Sequence, residues 1–217
     1  MHALILAAAA ALPAAPPDGA YTYTVAVAGN PAGKTTITMT HSGEGLQLAE
    51  SASATFGGSD FAGTATLSLD GTLSPARYAA VYSPPGRTIH AALAFNGATA
   101  TETADTGSAS FNLGANTAHF AVLDGTMFTG FFILPSQVRA WNAQAFTAVS
   151  PMFGRGAAIA LDSALKPSRP AAVPPNDVAI SVSDPVAFTL WYDPATLIVD
   201  ELDVPQQDAA YVRLRSR

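Results

Sequence analysis

The chain has 217 residues, of which 49% are hydrophobic and only 12% charged, with a formal net charge of −6. That length suits one β-rich domain with a full core. Its ten scattered cations on an acidic chain argue against a nucleic-acid partner, because phosphate binding needs clustered Lys and Arg. Cysteine is absent, which excludes disulfides, thiolate metal sites and a lipid-anchored N-terminal cysteine.

At the N-terminus, "ALILAAAAAL" (Ala3 to Leu12) is an apolar run too short to span a bilayer, and the Pro-rich "PAAPPDGA" follows it. This reads as an export signal over 1–20, ahead of a single antiparallel β-domain over 21–217. The positively charged start usual in such signals is missing, and a hydrophobic first helix is the alternative. The expected location is periplasmic or secreted, and no later stretch is apolar enough to cross a membrane as a helix.

"YTYTVAVA" (Tyr21 to Ala28) alternates strictly, and "KTTITMT" (Lys34 to Thr40) returns with Ile37 and Met39 on one face. Further strands are expected over Leu46–Phe56, Phe61–Leu69, Thr72–Tyr82, Thr88–Phe95, Ala98–Thr103 and Ala109–Leu113. "DGT", "SPPGR", "NGA" and "DTGS" between them are turn chemistry. Such close spacing predicts an antiparallel meander and leaves no room for helical crossovers, so parallel pairing is not expected.

One segment departs from alternation. Between Leu123 and Trp141 the apolar residues Met127, Phe131, Phe132, Leu134, Val138 and Trp141 recur three to four apart. This predicts a helix over about 126–141, capped by Asp124 or Thr126 and kinked or split by Pro135. Being the most apolar stretch of the mature chain, it should lie on the concave face of a sheet curved into a half-barrel or open barrel. Strands resume with "AQAFTAVS" and "AAIALDSAL". "KPSRPAAVPPND" (Lys166 to Asp177) is expected to be extended and exposed. "DVAISVS", "VAFTLWYD", "TLIVDEL" and "AAYVRLR" complete the same sheet. "DPAT" sits in a hairpin turn, with Asp193 at its first position and Pro194 at its second.

"VLDGTMFTGFFIL" (Val122 to Leu134), "VSP" (Val149 to Pro151) and "FTLWYDPATLIVDELDVP" (Phe188 to Pro205) resemble a group of uncharacterised bacterial exported β-domains. These occur alone or ahead of α/β-hydrolase-type peptidases. In their pattern a Leu-Asp-Asn/Gly step opens a helix after a long meander, and Gly125 stands where Asn is usual. The resemblance implies a half-barrel wrapped around a helix, similar to the lipoprotein-carrier proteins of the periplasm. It brings no catalytic residues.

Reactive chemistry finds little support. "ADTGSAS" (Ala104 to Ser110) carries the Asp-Thr-Gly of aspartic proteases, where two carboxylates share a proton, but no second such loop follows. Asp105 therefore reads as part of a hairpin turn in which Gly107 supplies positive φ, with the hydrolase a lesser alternative. There is no G-x-S-x-G elbow, and His41, His90 and His119 lack zinc-binding spacing. Asp200, Glu201 and Asp203 are read as a solvated edge strand, not a calcium loop, and Arg213, Arg215 and Arg217 as solvating the terminus. No cofactor and no metal are expected.

The expected function is non-enzymatic: an apolar or lipid-like ligand held between sheet and helix, with Phe128, Phe131, Phe132, Trp141, Met152 and Phe153 as pocket candidates. Close packing of those same side chains into a plain core is the competing reading. An envelope interaction or scaffold module, pairing a partner strand to a free edge near Tyr21 or Tyr211, is the alternative.

Overall fold

The computed structural model describes residues 14–43, 45–56, 58–105, 107–113, 119–151 and 155–215. The first eight strands are β1 (Gly19–Val27), β2 (Asn30–Ser42), β3 (Gly45–Phe56), β4 (Ser59–Leu69), β5 (Pro75–Ser83), β6 (Ile89–Asn96), β7 (Thr99–Ala104) and β8 (Gly107–Asn112). A middle section holds β9 (Phe120–Val122), helix α1 (Thr129–Trp141), β10 (Ala145–Ser150) and β11 (Arg155–Ala160). The last four strands are β12 (Val178–Val182), β13 (Phe188–Tyr192), β14 (Val199–Val204) and β15 (Ala209–Arg213).

Twelve strands form one antiparallel sheet in the order β12-β13-β14-β15-β1-β2-β3-β4-β5-β6-β7-β8. Each runs beside its chain neighbour except at one seam, where β15 pairs with β1 and Val25 lies opposite Tyr211. The sheet stays open, with β8 and β12 as its two ends. It is the expected curved meander around one helix. The free edge expected near Tyr21 or Tyr211 does not exist, because β1 and β15 each have a partner on both sides.

A second departure lies in the middle section. β9 and β10 pair in parallel, Ala121 opposite Ala148, and β10 pairs antiparallel with β11. Parallel neighbours need a long crossover, and α1 supplies it. With only three residues in β9, periodicity gave no signal for this unit.

Inward positions follow the two-residue rhythm: Tyr21, Tyr23 and Val25 on β1, Ile37 and Met39 on β2, Leu46 and Leu48 on β3, Tyr78, Ala80 and Tyr82 on β5. Helix α1 packs into this concave face against β3, β4 and β14 and touches β9 on its other side. Every residue from Thr129 to Gln137 is buried. Phe128 sits between Tyr23, at 4.6 Å between ring centroids, and Tyr211, stacked at 4.9 Å. Phe132 lies 5.0 Å from Tyr21, and Phe131 meets Phe188 edge-on at 5.3 Å.

The helix begins at Thr129, three residues later than expected, and neither Asp124 nor Thr126 caps it. Its cap comes from the sheet. Glu50, in phase with Leu46 and Leu48 on β3, projects a fully buried carboxylate at the first turn. One carboxylate oxygen accepts from the Phe128 N–H at 2.9 Å and from the Thr35 hydroxyl at 2.7 Å. The other accepts from the Thr129 N–H at 2.7 Å and from the Thr129 hydroxyl. Orphan N–H groups and the positive end of the helix dipole thus meet a negative charge. Burial still outweighs these donors and holds the Glu50 carboxyl above its ordinary range.

Asp124 serves the preceding turn instead. It accepts from the Thr126 N–H and hydroxyl on one oxygen, and from the Tyr78 and Tyr82 hydroxyls on the other. The Leu-Asp-Gly step is therefore a buried Asx turn pinned to β5.

Pro135 neither splits nor ends the helix, which runs on to Trp141. The two side chains beyond it fasten its far end to the β4–β5 turn: Gln137 Nε2 donates to the Leu73 carbonyl at 2.9 Å and Trp141 Nε1 to the Thr72 carbonyl at 3.0 Å. At the near end Gly130 allows contact with β9; a Cβ there would lie 1.7 Å from the Val122 carbonyl oxygen. Replacing Glu50 with Leu should cost roughly 3 kcal/mol in chemical denaturation, since two backbone N–H groups are left buried without acceptors. Gly130→Ala should be at least as damaging, because its clash is with backbone.

Candidate functional site

The start of α1, the middle section and the last strands leave a cleft with apolar walls. It holds about 540 Å³, a size typical of small-molecule sites. Phe131 and Leu123 form its floor with Phe188, and Ile159 and Ala148 from the small sheet form one wall. Pro185 and Val186, in the β12–β13 connection, make the lip, and Val186 is 45% exposed. Gln206 and Gln207, from a 3-10 turn at Pro205–Gln207, close the remaining side. Gln207 Nε2 donates to the Gly125 carbonyl at 3.3 Å. Ser150, on the wall, has a buried hydroxyl without a hydrogen-bond partner.

Of the six expected pocket residues, Phe131 lines this cleft. Phe128 and Phe132 are spent on core contacts with Tyr23, Tyr211 and Tyr21. Trp141 stacks on His119 at 4.9 Å at the opposite end of the helix. Met152 and Phe153 lie outside the described residues. Leu123, Ile159, Val186 and Phe188 line it as well. Leu123 and Ile159 reach it through the β9–β10–β11 sheet and Val186 and Phe188 through the β12–β13 hairpin, a meeting of two sheets that no local pattern announces.

Asp105 sits in the β7–β8 hairpin turn, with Gly107 at φ +135°. It is exposed, and its partner is His90, whose N–H donates to it at 2.9 Å and whose ring lies 3.2 Å away. That N–H, more than the ring, holds the Asp105 carboxyl below its ordinary range. His41 pairs with Asp18, and Asp124 with two tyrosines, so the histidines and Asp124 have separate partners.

The acidic hairpin requires a correction. β14 is an interior strand, not a solvated edge, because β15 follows it and joins β1. Asp200 and Glu201 are both buried. Asp200 receives Arg213 at 3.2 Å and Arg215 at 2.7 Å, so these arginines neutralise a buried carboxylate rather than solvate a terminus. The 166–177 connection is likewise fastened down. Arg169 lies 4.6 Å over the Trp191 ring and donates to the Pro174 and Asp177 carbonyls.

Two acids in this region titrate high. Burial, and then a hydrogen bond to Asp200 and its charge, push the Asp177 carboxyl up to about 7. Burial and, secondarily, Asp203 push Glu201 up to about 6. Both groups bind protons more tightly folded than unfolded, so their contribution to stability is present at low pH and lost as pH rises towards 7. Asp177→Asn should therefore be more stable than the parent chain at pH 8, by about 1 kcal/mol, with the difference vanishing near pH 4. Urea titrations at the two pH values measure it.

No protein-family model and no characterised protein matches the sequence. Solved structures do share the fold. One is a β-barrel-like protein of the domain of unknown function DUF1849 from Brucella abortus, at TM-score 0.56 and 10% identity over 94% of this chain and 98% of that one. Another is a DUF1089 family protein from Pseudomonas aeruginosa, at TM-score 0.50 and 12% identity over 95% and 98%. These likenesses establish an antiparallel β-barrel-like architecture across nearly the whole chain.

Proposed function

We propose that this chain is an exported, non-enzymatic β-domain that binds an apolar or lipid-like ligand in the cleft floored by Phe131 and Phe188. The observation that carries the reading is the cleft itself: about 540 Å³ between helix and sheets, walled by Leu123, Phe131, Ile159, Val186 and Phe188. Burying apolar ligand surface there is favourable by about 0.8 kcal/mol per methylene. The lining residues are apolar side chains, two glutamines and one serine, a set suited to holding and orienting a molecule. The unpartnered Ser150 hydroxyl and the Gln206 amide could receive the polar end of an amphiphile.

Export is supported by the apolar run Ala3–Leu12 and the Pro-rich stretch after it. The resemblance to lipoprotein-carrier half-barrels, which wrap a curved sheet around a helix, supports the ligand class.

Native mass spectrometry of the purified chain, with lipid extraction, tests the reading. We expect a co-purified hydrophobe, or else a raised melting temperature with long-chain fatty acids. Val186→Asp, at the exposed lip, should weaken that binding about tenfold while barely changing the unliganded melting temperature. Ligand-free protein without any thermal shift would overturn it.

A further inference from the structure

Apolar space near the start of α1 does not stop at the cleft. On the side that Gln207 closes lies a smaller cavity of about 270 Å³, walled by Phe61, Tyr211, Thr126, Gly125 and Gln207. Gly125 and Gln207 line both spaces, so the hydrogen bond from Gln207 Nε2 to the Gly125 carbonyl, at 3.3 Å, stands at the neck between them.

Strand register explains the second space. Tyr211 lies opposite Val25, Val25 opposite Gly33, Gly33 opposite Ala54, and Ala54 opposite Phe61. Directly opposed residues of antiparallel strands share a face, so these five form one row across the inner face of the sheet. Gly33 and Ala54 put little side chain between the two rings.

The neck is built to give way. Gln207 is exposed, and its one bond to Gly125 is long and joins neutral groups, so breaking it in water costs little. Pro205 at the start of its turn and Asp208 at the end, with φ +49°, hold the backbone, which leaves the Gln207 side chain as the part that swings. Opposite it Gly125 adds no side chain; a Cβ there would lie 3.4 Å from Gln207 Nε2, in the neck itself.

Resting on the reading of the cleft as a ligand site, we propose that its ligand carries a linear hydrocarbon chain that passes Gln207 into the second cavity, and that Gln207 selects for chain shape. Leu123, Phe131 and Phe188 receive the chain in the first space, and Phe61 and Tyr211 in the second. Each methylene that leaves water for the second cavity strengthens binding about fourfold. A bulky ring fills the cleft without passing the neck, and gains nothing there.

The probes are heptadecanoic acid and ω-cyclohexylundecanoic acid, which have the same number of carbons and differ in whether the chain ends in a ring. Decanoic acid is the short control. Each competes with a fluorescent fatty acid for the full chain below its micellar concentration, while NMR follows the Phe61 and Tyr211 rings. In the parent chain, heptadecanoic acid should bind at least about tenfold tighter than its ring-ended counterpart, and should be the one that shifts both ring signals. Gln207→Ala should reduce that preference to about threefold or less, and Phe61→Gln should weaken heptadecanoic acid about tenfold while leaving decanoic acid within about twofold. The NMR readout on the parent chain stands even if a variant folds poorly. Should none of the three acids bind, the ligand reading of the cleft falls and this proposal with it. Should they bind with no preference for the straight chain, with unmoved Phe61 and Tyr211 signals, or with an undiminished preference in folded Gln207→Ala, the cleft reading stands and the proposal is overturned.

Discussion

A single buried carboxylate governs how helix and sheet meet. Glu50 stands on the inner face of β3, among leucines, and accepts hydrogen bonds from two backbone N–H groups at the start of α1. Removing an ionised carboxylate from water costs several kcal/mol, and a helix start buried without acceptors costs a similar amount. Each makes the other tolerable. Because the bonds are directional, they fix where the helix begins and which way it points. Phe128, Phe131 and Phe132 then fall against β15, β13 and β1. Gly130 and the Asp124 turn hold the opposite side of the same helix start to β9 and β5.

Much of this frame was legible. Strict alternation in Tyr21–Ala28 and the turn dipeptides located the meander, and three-to-four spacing located the helix. Glu50 was legible too, since a glutamate in phase with Leu46 and Leu48 is an acid on an apolar face, and such an acid needs donors. The buried state of Asp200 was not legible. It depends on β15 reaching back to β1, a pairing between opposite ends of the chain that turns an expected edge into sheet interior. The cleft was half legible: Phe131 announced itself through helical spacing, while Ile159 and Phe188 reach it through tertiary contacts.

The apolar cleft and a charged cavity beside the 166–177 connection divide along the chemistry of their strands. Where α1 and the small sheet approach the β12–β13 connection, the side chains are aromatic or aliphatic, and water has little to bind. Where the 166–177 connection crosses β14 and β15, carboxylates and guanidinium groups crowd together, and the arrangement is electrically near balance but not at it. Phe188 and Asp193 flank opposite ends of β13, so one short strand contributes to both. Arg169, 4.6 Å over the Trp191 ring, holds the connection that brings Asp177 to the charged cavity.

The seam between β1 and β15 carries a consequence for biogenesis. Val25 opposes Tyr211, so the interior of the large sheet is stitched from the first and last strands of the described chain. Until Arg213 has been synthesised, β1 exposes an unpaired, apolar-faced border, and the helix lacks the ring of Tyr211 that flanks Phe128. Loop closure across everything between β1 and β15 must precede that stitch. Fragments that stop short of β15 therefore stay incompletely folded, with one wall of the helix missing.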